Sequence, residues 1–148
     1  MSTALIDTNL LIYVYDQRDP ARQERSQHLL QELGALGAGC LSVQALAEFF
    51  HVATRRLSPP LTAAEAYEQV TLLSQVWRVF DLTPLIALEA ARGVRDHGLS
   101  YFDAQMWATA RLNQVPLLLS EDFQDGRLLE GVRFLNPLAP EFDLAAWI

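Results

Sequence analysis

The sequence predicts an α/β fold on a parallel sheet. Short apolar runs such as Thr3-Ala4-Leu5-Ile6 and Val115-Pro116-Leu117-Leu118-Leu119 alternate with longer stretches of helical periodicity. That alternation is what strand–helix–strand units leave in a sequence. Helix-start and helix-stop residues separate the two kinds of segment. The chain has 148 residues, 51% of them hydrophobic, enough to bury one core. A single domain over residues 1–148 is expected.

The first strand is expected at about residues 3–7, followed by a short helix from Thr8 to about Asp16. Asp19-Pro20 starts a second helix, with Arg22, Glu24 and Arg25 toward solvent and His28, Leu29, Leu30 and Leu33 turned inward. Gly34, Gly37 and Gly39 end it. Residues 38–41 read as a short strand, and Ser42 as the cap of a helix running to about Arg56. Ser58-Pro59-Pro60 is a turn, and Thr62-Ala63-Ala64-Glu65 is a capping box opening a helix to about Gln75. Residues 78–82 form a third strand. Thr83-Pro84 starts the next helix, with proline at its first position, and His97-Gly98 closes it. Ser100 caps a helix carrying Asp103, and residues 116–120 and 131–135 are the fourth and fifth strands. Pro137 and Pro140 punctuate the tail.

The formal net charge is −7, from 18 acids and 11 bases. Every base is an arginine; the chain has no lysine. This balance argues against binding nucleic acid by bulk charge, and a P-loop lacks its phosphate-binding lysine. An enzyme on nucleic acid stays open, because acids that hold a metal cease to repel phosphate. The single Cys40 can form no internal disulfide and makes a zinc site a poor fit. No apolar run approaches the roughly 18–20 residues of a membrane span, and the N-terminus lacks the segments of a signal peptide. A cytoplasmic protein without a membrane partner is expected.

Four acids stand out by position. Asp7 ends the first apolar run, Glu48 interrupts an apolar helix, Asp103 lies in the first turn of another, and Asp122 follows the fourth strand. A carboxylate in apolar surroundings is costly unless a cation compensates it, and a divalent ion fits if the four converge. In parallel α/β folds, ligands collect outside the carboxyl ends of the strands, the edge expected for Asp7 and Asp122. Each acid also has a bland reading. Asp7-Thr8-Asn9 contains helix caps. Glu48 shares a polar stripe with Gln44, four residues earlier, and that stripe faces either water or the site. Ser100-Tyr101-Phe102-Asp103 has capping-box spacing, and loops tolerate an acid such as Asp122.

Taken together, these pieces resemble a PIN domain, in particular the VapC-type ribonuclease toxins of bacterial toxin–antitoxin pairs. The resemblance rests on Ala4-Leu5-Ile6-Asp7-Thr8-Asn9, Leu41-Ser42-Val43-Gln44-Ala45-Leu46-Ala47-Glu48-Phe49, Ser100-Tyr101-Phe102-Asp103-Ala104 and Leu118-Leu119-Ser120-Glu121-Asp122-Phe123. It spans about residues 3–135. It implies a three-layer α/β/α sandwich and Mg²⁺- or Mn²⁺-dependent RNA cleavage, with Asp7, Glu48, Asp103 and Asp122 as catalytic and metal-holding acids. Thr8, Asn9 and Ser120 match the family's small polar residues around the site, and Asp125 is an outer contributor. Arg55 and Arg56 are candidates to hold RNA phosphates; their alternative is a favourable charge at a helix C-terminus. Tyr13 and Tyr15 either stack on a base or pack in the core. The implied partners are RNA, a cognate antitoxin lying against Leu10, Leu11 and Val14, and a second copy of the chain. The rival readings are another metal-dependent nuclease or phosphatase, and a PIN-like protein-binding module without catalysis.

Overall fold

The computed structural model describes residues 2–148. In chain order it comprises β1 (Ala4–Ile6), α1 (Thr8–Tyr13), α2 (Pro20–Leu36), β2 (Gly39–Ser42), α3 (Val43–Ala53), α4 (Ala63–Val76) and β3 (Arg78–Phe80). These are followed by α5 (Pro84–His97), α6 (Tyr101–Leu112), β4 (Leu117–Leu119), β5 (Leu128–Leu129), β6 (Val132–Leu135) and a 3-10 turn at Leu144–Ala146. The strands form one sheet in the order β3-β2-β1-β4-β6-β5, parallel except for the last pair.

Every residue of β1 and β4 is buried. Strands apolar on both faces need helices on both faces. The chain steps from β1 to β2 to β3 in one direction, then returns past β1 to β4. Right-handed crossovers therefore place α1–α4 on one face and α5–α6 on the other. This is the expected three-layer sandwich.

The caps explain where the helices begin. The Ser42 hydroxyl accepts from Ala45 N (3.1 Å), and Thr62 and Glu65 form the reciprocal capping box. Thr83 accepts from Ile86 N (3.2 Å), and α5 ends at Gly98 with φ 69°, a left-handed position that glycine occupies without penalty. Trp77 follows α4 and lies over β2, where a Cβ on Gly39 would stand 2.4 Å from its ring.

Several expectations are corrected. The α1 helix stops at Tyr13 and α3 at Ala53, short of Asp16 and Arg56. The α2 helix continues through Gly34 and ends only at Gly37, the left-handed position. His28 does not turn inward; it lies exposed and pairs with Glu32 at 2.7 Å. Leu10 and Leu11 are 0% and 2% exposed, so they belong to the core and cannot wall a surface groove. A two-residue strand, β5, precedes β6 as a hairpin. Its turn, Glu130-Gly131, has φ of 46° and 85°, the both-positive geometry of tight hairpin turns.

Candidate active site

The site is built where β1 and β4 end side by side. Ile6 pairs with Leu119, and Asp7 N donates to the Leu119 carbonyl (2.9 Å). Asp7 and Ser120 therefore leave the sheet together at its carboxyl edge. Asp7 is the N-cap of α1 and accepts from Thr8 N at Oδ1 (2.8 Å), so the capping role falls to Asp7 itself rather than to Thr8 or Asn9. Capping accounts for one oxygen only. Its Oδ2 accepts from the Ser120 hydroxyl (2.6 Å), whose oxygen in turn accepts from Asp122 N (3.0 Å) and Asn9 Nδ2 (3.2 Å). Asn9 Nδ2 also donates to Asp122 Oδ2 (3.0 Å).

Glu48 enters from α3. Thr8 Oγ1 donates to its Oε2 (2.7 Å) and Gln44 Nε2 to its Oε1 (2.8 Å). The Gln44–Glu48 stripe thus faces the site edge rather than open water; Gln44 is 7% exposed. Asp103 enters from the first turn of α6. The expected capping box does not form, since the Ser100 side chain makes no cap hydrogen bond to the helix, while Asp103 remains an acid in the first turn, where the helix dipole favours it.

The charges of Glu48 and Asp122 reach both Asp7 and Asp103. Burial pushes the Asp7 carboxyl up to about 6; the Ser120 and Thr8 hydrogen bonds oppose the rise, and the Glu48 and Asp122 charges add to it. Desolvation is the largest cause, because β1 buries the carboxyl as it ends. Asp103 is also raised, by burial first, with the Ser100 hydroxyl lowering it and the Asp122 and Glu48 charges raising it. No arginine acts on either group.

The donor set is all oxygen, which suits a hard divalent cation. Asn9 Oδ1 is buried at this site without a hydrogen-bond partner, an acceptor that a metal-bound water would satisfy. As the side chains stand, no three of His, Cys, Asp and Glu among the described residues lie close enough to share an ion. Each carboxylate instead takes the neutral donors on its own side, as like charges do without a cation between them. The residues fit a metal in the chemistry of the donor set.

The remaining candidates separate. Asp125 Oδ1 accepts from Asn136 N (2.9 Å), which ties the loop to the end of β6. Arg55 and Arg56 are exposed just past α3, about 10 Å beyond Glu48 along the helix axis. Tyr15 packs against Phe49 (5.4 Å between centroids) and donates to Gln69, so it serves the core. Tyr13 donates to Glu121 (2.5 Å), which also receives Arg22 Nε (2.8 Å); the two clamp the loop that carries Asp122. Cys40 is 3% exposed and its thiol is pushed up to about 12 by burial, in keeping with a packed residue.

Sequence reasoning missed Gln105 and the Tyr13–Glu121–Arg22 clamp. The signal for Gln105 is an uncharged amide inside the apolar run Ala104–Ala110. Nothing local marks the clamp, because its members lie 108 and 99 residues apart.

Among known proteins, the PIN domain family model matches residues 4–125. No curated protein sequence matches the chain. Solved structures resemble it at low identity. A toxin–antitoxin complex from Klebsiella pneumoniae is 19% identical, with a TM-score of 0.64 over 91% of this chain and 98% of that one. FitAcB from Neisseria gonorrhoeae is 19% identical, with a TM-score of 0.65 over 93% and 99%. The sarcin-ricin loop cleaving toxin VapC20 of Mycobacterium tuberculosis is 22% identical, with a TM-score of 0.65 over 88% and 99%. At these identities the likeness is one of fold.

Proposed function

Because the chain belongs to the PIN domain family, we propose that it is a divalent-metal-dependent endoribonuclease and the toxin of a type II toxin–antitoxin pair. One observation carries the catalytic part. Asp7, Glu48, Asp103 and Asp122, from four separate elements, stand at one edge of the sheet, and the Glu48 and Asp122 charges act on both Asp7 and Asp103 with no arginine acting on either. A divalent cation is the charge that would compensate them.

The four carboxylates would hold Mg²⁺ or Mn²⁺. The ion would lower the pKa of a bound water and offset charge at the scissile phosphate. Asp7 and Asp103 are the direct ligands in this reading, and Glu48 and Asp122 complete the shell. Ser120 and Thr8 hold Asp7 and Glu48 by hydrogen bonds, and Asn9 keeps Asp122 beside Ser120. Arg55 and Arg56, exposed just past α3, would hold RNA phosphates leaving the site. Asp125 contributes by fixing the Asp122 loop.

The toxin reading rests on family and fold. Solved structures of similar fold are a toxin–antitoxin complex and a sarcin-ricin loop cleaving toxin. At net −7, the surface favours a basic antitoxin segment, since complementary potentials speed and orient encounter. Exposed Tyr67, Leu72 and Val76 on α4, and Leu85 and Leu88 on α5, offer an apolar contact for a homodimer. No helix is long and apolar enough to cross a membrane among the described residues.

The test is RNA cleavage by purified protein with Mg²⁺ or Mn²⁺, with EDTA, and with Asp7→Asn. Metal-dependent cleavage that Asp7→Asn abolishes is expected. Cleavage that persists in EDTA would refute the metal, and full cleavage by Asp7→Asn would remove Asp7 from the site.

A further inference from the structure

Two of the four acids are placed by the sheet and two are not. Asp7 and Asp122 follow adjacent, paired strands and share Ser120. Glu48 and Asp103 sit on helices from opposite faces, so no strand ladder sets their spacing. One buried carboxamide bridges Glu48 and the start of α6.

Gln44 on α3 and Gln105 on α6 are 7% and 6% exposed. Gln105 Nε2 donates to Gln44 Oε1 (3.0 Å). Gln44 Nε2 donates to Glu48 Oε1 (2.8 Å) and to the carbonyl of Phe102 (2.9 Å), the residue before Asp103. The orientation of Gln44 is forced. Turned over, its oxygen would face a carboxylate and a carbonyl, and its nitrogen would face the Gln105 amide. Thr8 Oγ1 holds the other Glu48 oxygen (2.7 Å). A hydrogen-bonded line thus runs from α6 through α3 to α1, with Glu48 inside it. An apolar pair would fill the same space without polar groups that must be satisfied. Packing therefore does not account for the amides.

We propose that Gln44 is a positioning residue that fixes the Glu48 carboxylate and the start of α6 relative to each other, and that Gln105 orients Gln44 from behind. The inference rests on the metal reading of the site. Residues that hydrogen-bond metal-binding carboxylates typically change metal affinity about 10–100-fold when removed.

The experiment uses Gln44→Met and the double variant Gln44→Met/Gln105→Met in the full chain. Mn²⁺ affinity is read by calorimetry, and melting temperature is read in EDTA. Gln44→Met leaves the Gln105 donor buried and unpaired, so it should lower the melting temperature and weaken Mn²⁺ binding by about tenfold or more. Replacing both amides removes the unpaired group, so the double variant should recover its melting temperature but not its Mn²⁺ affinity. A purely packing pair would recover both. A double variant that folds and binds Mn²⁺ as the wild type does overturns this inference alone. A wild type that binds no Mn²⁺ overturns the metal reading, and this inference with it. Should Gln44→Met fail to fold, the double variant decides by itself.

Discussion

Asp7→Asn should stabilise the metal-free protein at neutral pH while abolishing cleavage. The Asp7 carboxyl is 7% exposed and raised from 3.8 to about 6. A raised carboxyl means that the folded state holds a proton the unfolded chain releases. Wild-type stability therefore falls as pH rises from about 4 to about 6, and the whole penalty persists above that. At 1.36 kcal/mol per pH unit, the shift corresponds to about 3 kcal/mol. Asparagine is uncharged and escapes this penalty. It loses something in exchange. Ser120 Oγ already accepts from Asp122 N and Asn9 Nδ2, so it cannot also accept from an amide at position 7. One hydrogen bond worth about 1 kcal/mol is lost. The net expectation at about pH 7.5 is a gain of about 2 kcal/mol. Urea denaturation in EDTA, at about pH 4.5 and about pH 7.5, reads the difference between variant and wild type. That difference should move in favour of the variant by about 2 kcal/mol between the two pH values. A difference that does not change with pH, or a variant less stable at neutral pH, would refute a buried, uncompensated carboxylate at this position.

Three further outcomes are expected. Asp103→Asn should abolish cleavage while changing the melting temperature in EDTA little, because no capping box depends on Asp103; retained activity with lost stability would restore the capping role. Gly39→Ala should destabilise the protein by about 1–3 kcal/mol, since the new Cβ would meet the Trp77 ring at 2.4 Å; an unchanged urea midpoint would show that Trp77 moves freely. Co-expression with the product of a neighbouring small reading frame should give a complex that cleaves RNA more slowly than the free protein. A complex as active as the free protein would sink inhibition by that partner.

How much of this was legible in the sequence follows the range of the interactions. Local chemistry was readable. Ser42, Thr62-Glu65 and Thr83-Pro84 open helices where their capping signals stand, and Gly98 closes one. The strand-end positions of Asp7 and Asp122 followed from apolar runs that stop just before them. Spacing alone misled at Ser100, whose side chain leaves the helix uncapped. It also misled at His28, where helical periodicity could not tell a buried face from one paired with Glu32. β5 is two residues long, too short for any period to register. The Gln44–Gln105 contact joins residues 61 apart, and no local pattern encodes it. Leu10 and Leu11 look like any apolar helix face until the sheet is closed beneath them.

The pairing of β1 with β4 also bears on when the proposed site is assembled. Asp7 and Ser120 touch across 113 residues of chain, and β4 is added on the far side of β1 after three strands and six helices have been made. Contacts so distant in sequence form late, after local structure. A nascent chain can lay down β1, β2 and β3 with their helices and still lack both Asp122 and the hydroxyl that holds Asp7. The four carboxylates are therefore not all present until the loop after β4 has been made. Any partner that must restrain the proposed nuclease has until β4 and the loop after it are made to be in place.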